Sequence, residues 1–234
     1  MATTTSTQQR STAQSTIGLK IMMAVSGLFF VFYVLAHMYG NLKILAGHQA
    51  FDDYAHHLRE LGEPMLPYSG FLWVFRLVLI VALVAHVYAA MTLSARAGKA
   101  RGQRYEVKSS MGTSLSSRTM RWGGIALLLF IIFHLLHFTI RTFEIGTPQA
   151  GAFSPAAMVV ASFQVPWLTL IYVLALVALG FHLHHGVWSA CQTLGFTNTA
   201  SSRALAKSAG LVLAVVVVVG FLIPPLAIQF GLIQ

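Results

Sequence analysis

Four histidines recur at near-equal intervals along this chain: His37, His86, His134 and His182, separated by 49, 48 and 48 residues. Each lies inside a different long apolar stretch. An ionisable or ligating side chain at membrane depth is costly, and such residues mark functional positions. Four at one rhythm suggest two bis-imidazole sites stacked across a bilayer. Two axial imidazoles give a six-coordinate iron with no open position, the arrangement by which b-type haems move electrons through lipid rather than bind oxygen.

The elements that must carry these histidines are helices. The chain has 234 residues, of which 56% are hydrophobic and 9% charged, with a mean hydropathy of +0.72. Soluble domains carry about 25% charged residues, so the composition is that of an integral membrane protein. Five stretches are long enough to cross roughly 30 Å of hydrocarbon: about 17–45, 68–95, 120–143, 165–194 and 204–232. No alternating strand pattern appears, and backbone groups in lipid must bond internally, so an all-α bundle of five transmembrane helices over 17–234 is expected. Residues 1–16 are polar, lack an apolar run and a cleavage signal, and read as a disordered tail. Residues 49–61 place Phe51, Tyr54, Ala55, Leu58 and Leu61 at helical spacing between charges, predicting a short amphipathic helix on the interface. Pro224 and Pro225 are expected to kink or end the last helix.

The net charge of +9 is not the signature of a nucleic-acid binder, because the basic residues cluster beside apolar segments. The second connection holds Arg96, Lys99, Arg101, Arg104, Lys108, Arg118 and Arg121 against Glu106 alone. Arg10, Lys20, Arg203 and Lys207 add to the same side. The opposite side carries Asp52, Asp53, Glu60, Glu63 and Glu144 with Lys43, Arg59 and Arg141. Positive residues stay inside, so the N-terminus is expected in the cytoplasm and the C-terminus outside. Cys191 is the only cysteine, which excludes an internal disulfide and an all-cysteine iron–sulfur cluster within the chain.

Alternating helix direction sets depth. His37 and His134 fall in the outer half, His86 and His182 in the inner half, so depth pairs His37 with His134 and His86 with His182. Local sequence agrees. VALVAH ending at His86 resembles VALGFH ending at His182, while Gly27 and Gly124 each precede a histidine by ten residues. Glycine there is expected to make room for a haem edge. Interhelical hydrogen bonding is the plainer role for a membrane histidine. His137 lies one turn beyond His134 and is a rival ligand or a polar neighbour; His184 and His185 follow His182 closely, off its face. His48, His56 and His57 fall in the outer loop and are expected to be solvated. Arg76, in the outer half of the second span, is a candidate partner for an outer-haem propionate, with snorkelling to headgroups as the alternative.

Three runs carry a resemblance: SGLFFVFYVLAHMYGNLKILAG, YAHHLRELGEPMLP followed by LWVFR, and FHLHHGVWSACQTLGF. Over residues 17 to 232 the chain resembles the cytochrome b membrane anchor of succinate dehydrogenase. The kind it is most similar to is the single-chain, five-helix, di-haem anchor of bacterial succinate:menaquinone oxidoreductases and fumarate reductases. The resemblance implies iron ligands at His37, His86, His134 and His182, with none from the fifth helix, which here lacks histidine. It also implies two haem b, a quinone (menaquinone in that kind), and a place in the inner (plasma) membrane of a bacterium. Partner subunits would be a flavoprotein holding FAD, which oxidises succinate, and an iron–sulfur protein passing electrons to the anchor. The basic stretch from Arg96 to Arg121 is a plausible docking surface for the latter, besides its topological role.

Quinone reduction takes up protons and needs a polar group to relay them. On the outer side the candidates are Glu63, the leading acid, with Arg59, Arg141, Glu144 and His137. On the inner side they are Ser26, Lys20 and Trp122. Two haems at two depths favour the outer side. The competing readings are a di-haem quinone-reactive anchor for a hydrogenase or formate dehydrogenase, and a haem-free transporter. The latter would need paired broken helices at the midplane.

Overall fold

The computed structural model describes residues 15–100, 115–142, 145–146 and 154–234. Among these the regular structure is entirely helical: α1 (Thr16–Leu42), α2 (His48–Glu60), α3 (Gly70–Ala100), α4 (Leu115–His134), α5 (Pro155–Phe163), α6 (Pro166–Thr193) and α7 (Ala200–Gln229). A 3₁₀ turn, Lys43–Ala46, extends α1, and a π-helical turn, Leu135–Ile140, continues α4. Five elements are long and apolar enough to cross a membrane, with mean hydropathies from 1.9 to 2.9. Large apolar side chains such as Phe32, Val81, Leu129, Leu170 and Val212 lie exposed along their outer faces. In a membrane these contact lipid, so the fold is an all-α integral membrane bundle.

Local chemistry explains the element ends. Ser15 caps α1 by accepting from Gly18 N at 2.9 Å. Thr199 and Ser202 form a reciprocal cap on α7. Pro166 opens α6 in the first turn, where its missing N–H costs nothing. Arg141, in the left-handed region at φ 59°, ends the π turn. The expected α2 is present within one residue of its predicted ends. Its Tyr54 ring lies so close to Gly40 of α1 that a Cβ there would come within 2.8 Å. Burial pushes the Tyr54 hydroxyl above its ordinary pKa. The proline pair does not end α7: Pro224 and Pro225 are buried within the helix, which runs on to Gln229. Packing against neighbouring helices compensates for backbone bonds lost to proline inside a membrane bundle. The predicted tail falls almost wholly outside the described residues, as do Arg10, Arg101, Arg104, Glu106, Lys108 and Glu144.

The helices form two wings. In one, α3 packs on α1; in the other, α4 packs on α6. Contacts of α1 with α6, and α7 laid against both, join the wings. The close α6–α7 approach needs Gly210, where a Cβ would sit 2.9 Å from the His184 carbonyl oxygen. Among the described residues helix α3 packs chiefly on α1, with at most marginal approach to α4, α6 or α7, and has a single buried residue, Ala89. A space therefore lies between α3 and the α4–α6 wing, crossed by side chains.

One element is not anticipated by the sequence. Helix α5, PAAMVVASF, is too short to span a membrane and is apolar on nearly every face; six of its nine residues are buried. With Ile44, Leu168, Tyr172 and Ile228 it forms the larger buried cluster of the bundle. It packs on α2, and Asp52 of α2 holds its N-terminus, accepting from Ser154 Oγ at 2.6 Å and Ala156 N at 2.8 Å. A carboxylate suits that position because the first-turn N–H groups lack helical partners and the helix dipole is positive there.

Candidate metal centre

The space between the wings is crossed by two histidine pairs. His37 of α1 faces His134 of α4 with ring centres 5.9 Å apart and planes at 81°. His86 of α3 faces His182 of α6 at 6.2 Å and 58°. We call these the outer and inner pairs, after the orientation expected from the basic residues. Depth pairing and ring pairing coincide: each site takes one imidazole from each wing.

Nδ1 contacts show which ring nitrogens are spoken for. Ser26 Oγ lies 3.2 Å from His86 Nδ1 and 2.7 Å from the Met22 carbonyl oxygen. The carbonyl can only accept, so Ser26 donates to it and its lone pair receives Nδ1–H from His86. With the proton of the neutral ring on Nδ1, the free lone pair of His86 is on Nε2. On the other wing, the Tyr172 hydroxyl lies 3.2 Å from His134 Nδ1. Tyr33 stacks on His37 at 5.4 Å and 10°, and Phe221 packs beside it at 5.7 Å. His182 Nδ1 is buried without a hydrogen-bond partner.

The two glycines do something other than expected. Gly27 lies against the ring of His86, where a Cβ would come within 3.3 Å of Cε1. Gly124 lies against His182, where it would come within 3.6 Å. Within each wing, then, the first helix makes room for the imidazole of the second. Neither glycine neighbours the histidine ten residues after it. The wings differ by one residue at this point: Ser26 precedes Gly27, whereas Gly123 precedes Gly124, and His182 lacks the hydroxyl that His86 has.

These residues fit an iron macrocycle. Two metal–imidazole bonds of about 2 Å each, plus the two half-rings, put ring centres about 6 Å apart, close to the distances found. Among the described residues no three His, Cys, Asp or Glu side chains converge as a bare metal site would require. Two imidazoles per site suit a metal whose remaining ligands come with it.

The other candidate residues are dispersed. His137 is fully buried, with Nδ1 3.5 Å from the Tyr172 hydroxyl and Nε2 3.4 Å from the Ile145 carbonyl oxygen. It faces α5 while His134 faces His37, a divergence aided by the π turn that begins at Leu135. Such turns recur at functional sites. The ring facing His86 is that of His182, not of His184 or His185. Arg76 stacks its guanidinium over Trp73 at 5.0 Å and lies within electrostatic reach of Tyr33, which lines the outer pair. Arg59 donates to the Ala55 carbonyl oxygen at 2.6 Å, and Arg141 is exposed at the end of the π turn. Glu63 is exposed on the turn after α2 and is not brought to either pair. His48 is half-buried in the first turn of α2, and His56 and His57 are exposed on it.

Two grooves adjoin the inner end. One of about 330 Å³ runs between α4 and α6, lined by Thr119, Trp122, Gly123, Phe181 and His182. Another of about 430 Å³ lies between the start of α1 and the end of α6, beside Lys20, Ser189, Gln192 and Thr193. Ser162, Tyr33 and Tyr172 are site residues the sequence did not single out. The one signal for Tyr172 was a hydroxyl in the middle of an apolar span, ten residues before His182.

Fold and geometry define a multi-pass membrane protein with two buried imidazole pairs. The family model of the succinate dehydrogenase/fumarate reductase transmembrane subunit matches residues 95–223, more than half of the chain. The chain belongs to that family and is thus a membrane subunit of an oxidoreductase complex, associating with its other subunits. Neither a search of curated proteins nor one of solved structures finds a match.

Proposed function

We propose that the chain is a di-haem cytochrome b anchor, in which His37 with His134 and His86 with His182 each hold one haem b. The observation that carries this reading is the pair of imidazole couples, 5.9 and 6.2 Å between ring centres, each taking one ring from the α1–α3 wing and one from the α4–α6 wing. When bound, two six-coordinate haems at two depths supply one-electron transfer across the apolar core, between a partner's iron–sulfur centre and a membrane quinone. The chain's own residues orient and insulate. Ser26 and Tyr172 engage Nδ1 of His86 and His134, which leaves the Nε2 lone pair of each ring for iron. Tyr33 and Phe221 fix the ring of His37. Arg76, at the depth of Tyr33, is the proposed partner of an outer propionate. The assembled enzyme is a succinate:quinone oxidoreductase of a bacterial inner membrane, with FAD and iron–sulfur clusters in its other subunits and menaquinone as the proposed acceptor. The basic stretch between α3 and α4 is the proposed docking surface for the iron–sulfur subunit.

The test is a reduced-minus-oxidised spectrum of the purified complex. Two haem b per chain are expected; absence of b-type bands overturns the reading and favours a haem-free membrane protein. Purification with a hydrogenase or formate dehydrogenase instead would assign the anchor to another enzyme.

A second reading concerns the quinone. The outer candidate Glu63 rests on the argument from haem depth. The inner side has a specific observation in its favour, the groove where Trp122 and Thr119 line a wall beside His182. Glu63→Gln and Trp122→Ala separate the two: the substitution at the true site lowers quinone reduction while succinate–dye activity stays normal.

A further inference from the structure

Between His137 and His134 the direction of the hydrogen bonds follows from one carbonyl group. The Ile145 carbonyl oxygen can only accept, so at 3.4 Å His137 must donate to it from Nε2–H. His137 is fully buried among apolar helices, where an unpaired charge is costly, so it is neutral and its Nδ1 is bare. That nitrogen accepts the Tyr172 hydroxyl proton at 3.5 Å. With its proton committed, the Tyr172 oxygen accepts Nδ1–H from His134 at 3.2 Å. Ser162 closes the far end: it donates to the Met158 carbonyl oxygen at 2.7 Å and offers a lone pair to His137 Nε2 at 3.4 Å. The chain is thus ordered from His134 to Tyr172 to His137 to the loop carbonyl, and it draws on α4, α6, the π turn and α5.

We propose that Tyr172, oriented by His137, is a positioning residue for His134. It holds the imidazole in the Nδ1–H tautomer with Nε2 facing His37, and strengthens Nε2 as a donor to iron. This rests on the haem reading above. A hydrogen bond from the far nitrogen makes a ligating imidazole more basic, and one that Tyr172 passes onward polarises its oxygen further. The inner site has a shorter device, Ser26 on His86, and none on His182. On this assignment His137 is the anchor of the chain and not an iron ligand.

Redox titration of the purified complex, followed optically, tests this, with the outer step identified by its loss in His37→Ala. Tyr172→Phe removes one oxygen and keeps the packing. It is expected to retain both haems and to raise the midpoint potential of the outer step alone, because a less basic imidazole stabilises ferric iron less. His137→Leu should move the same step in the same sense by less, and His137→Gln, which can donate and accept, should restore it. Unchanged potentials in Tyr172→Phe, or equal movement of both steps, overturn the proposal. So does loss of the outer haem in His137→Leu with its survival in His134→Ala, which would make His137 the ligand. A wild-type complex without haem b overturns the underlying reading together with the proposal; a loaded complex indifferent to Tyr172→Phe overturns the proposal alone.

Discussion

At the outer end His134 is tied through Tyr172 and His137 to a loop carbonyl, and α5 seals the cluster under a layer of apolar side chains. At the inner end His182 has an unpartnered Nδ1, and a groove of about 330 Å³ runs past its ring. Ring separations at the two ends differ by only a few tenths of an ångström. The same pair of imidazoles is thus built twice, once in a sealed and cross-braced setting and once in an open one. Spacing between imidazoles is a property of the wings; the ordering of each imidazole is a property of what packs behind it.

The largest effect that can break this comparison is removal of a ligand. Alanine at His37 or His134 should remove the outer haem only, and alanine at His86 or His182 the inner haem only, halving the haem per chain in a pyridine haemochrome assay. Loss of both haems from one substitution would mean that the sites do not form independently.

Next in size is the seal. Asp52→Ala deletes two hydrogen bonds to the α5 N-terminus. Bonds to a charged group contribute about 1.5–3 kcal/mol each, and burial here is partial, so a loss of about 2 kcal/mol is expected. It should appear as earlier thermal bleaching of the outer haem, with the inner haem's midpoint nearly unmoved; equal shifts would show that α5 supports the whole bundle rather than one end.

The smallest effect sharpens the likeness of the wings. Gly124→Ala meets His182 at an ordinary contact distance, 3.6 Å, and keeps the helical advantage of alanine, up to about 1 kcal/mol. Gly27→Ala meets His86 at 3.3 Å, so crowding offsets that gain. The first should raise the midpoint of thermal unfolding slightly and the second should not. The reverse order would deny that Gly27 is the tighter seat.

Much of the scaffold was legible in the chain. The five spans and α2 fall close to their expected bounds, and the pairing of histidines by depth agrees with the pairing of rings. Helix α5 was missed because nine residues between two spans, all apolar but Ser162, have no amphipathic period to read. Pro224 and Pro225 misled for a related reason: a breaker in water is accommodated where neighbouring helices pack against it. Glu63 attracted notice as an acid near the outer end, yet its turn leaves it exposed.

What the sequence by itself determined is the number and length of the apolar spans and the position of each histidine along its span. These are local quantities: every backbone group in lipid must be satisfied within its own helix, and rise per residue converts position into depth. Only the tertiary structure decided which hydroxyl meets which imidazole. Tyr172 lies 38 residues from His134 and Ser26 lies 60 from His86. Such contacts depend on the rotation of one helix against another, which packing sets and hydropathy does not.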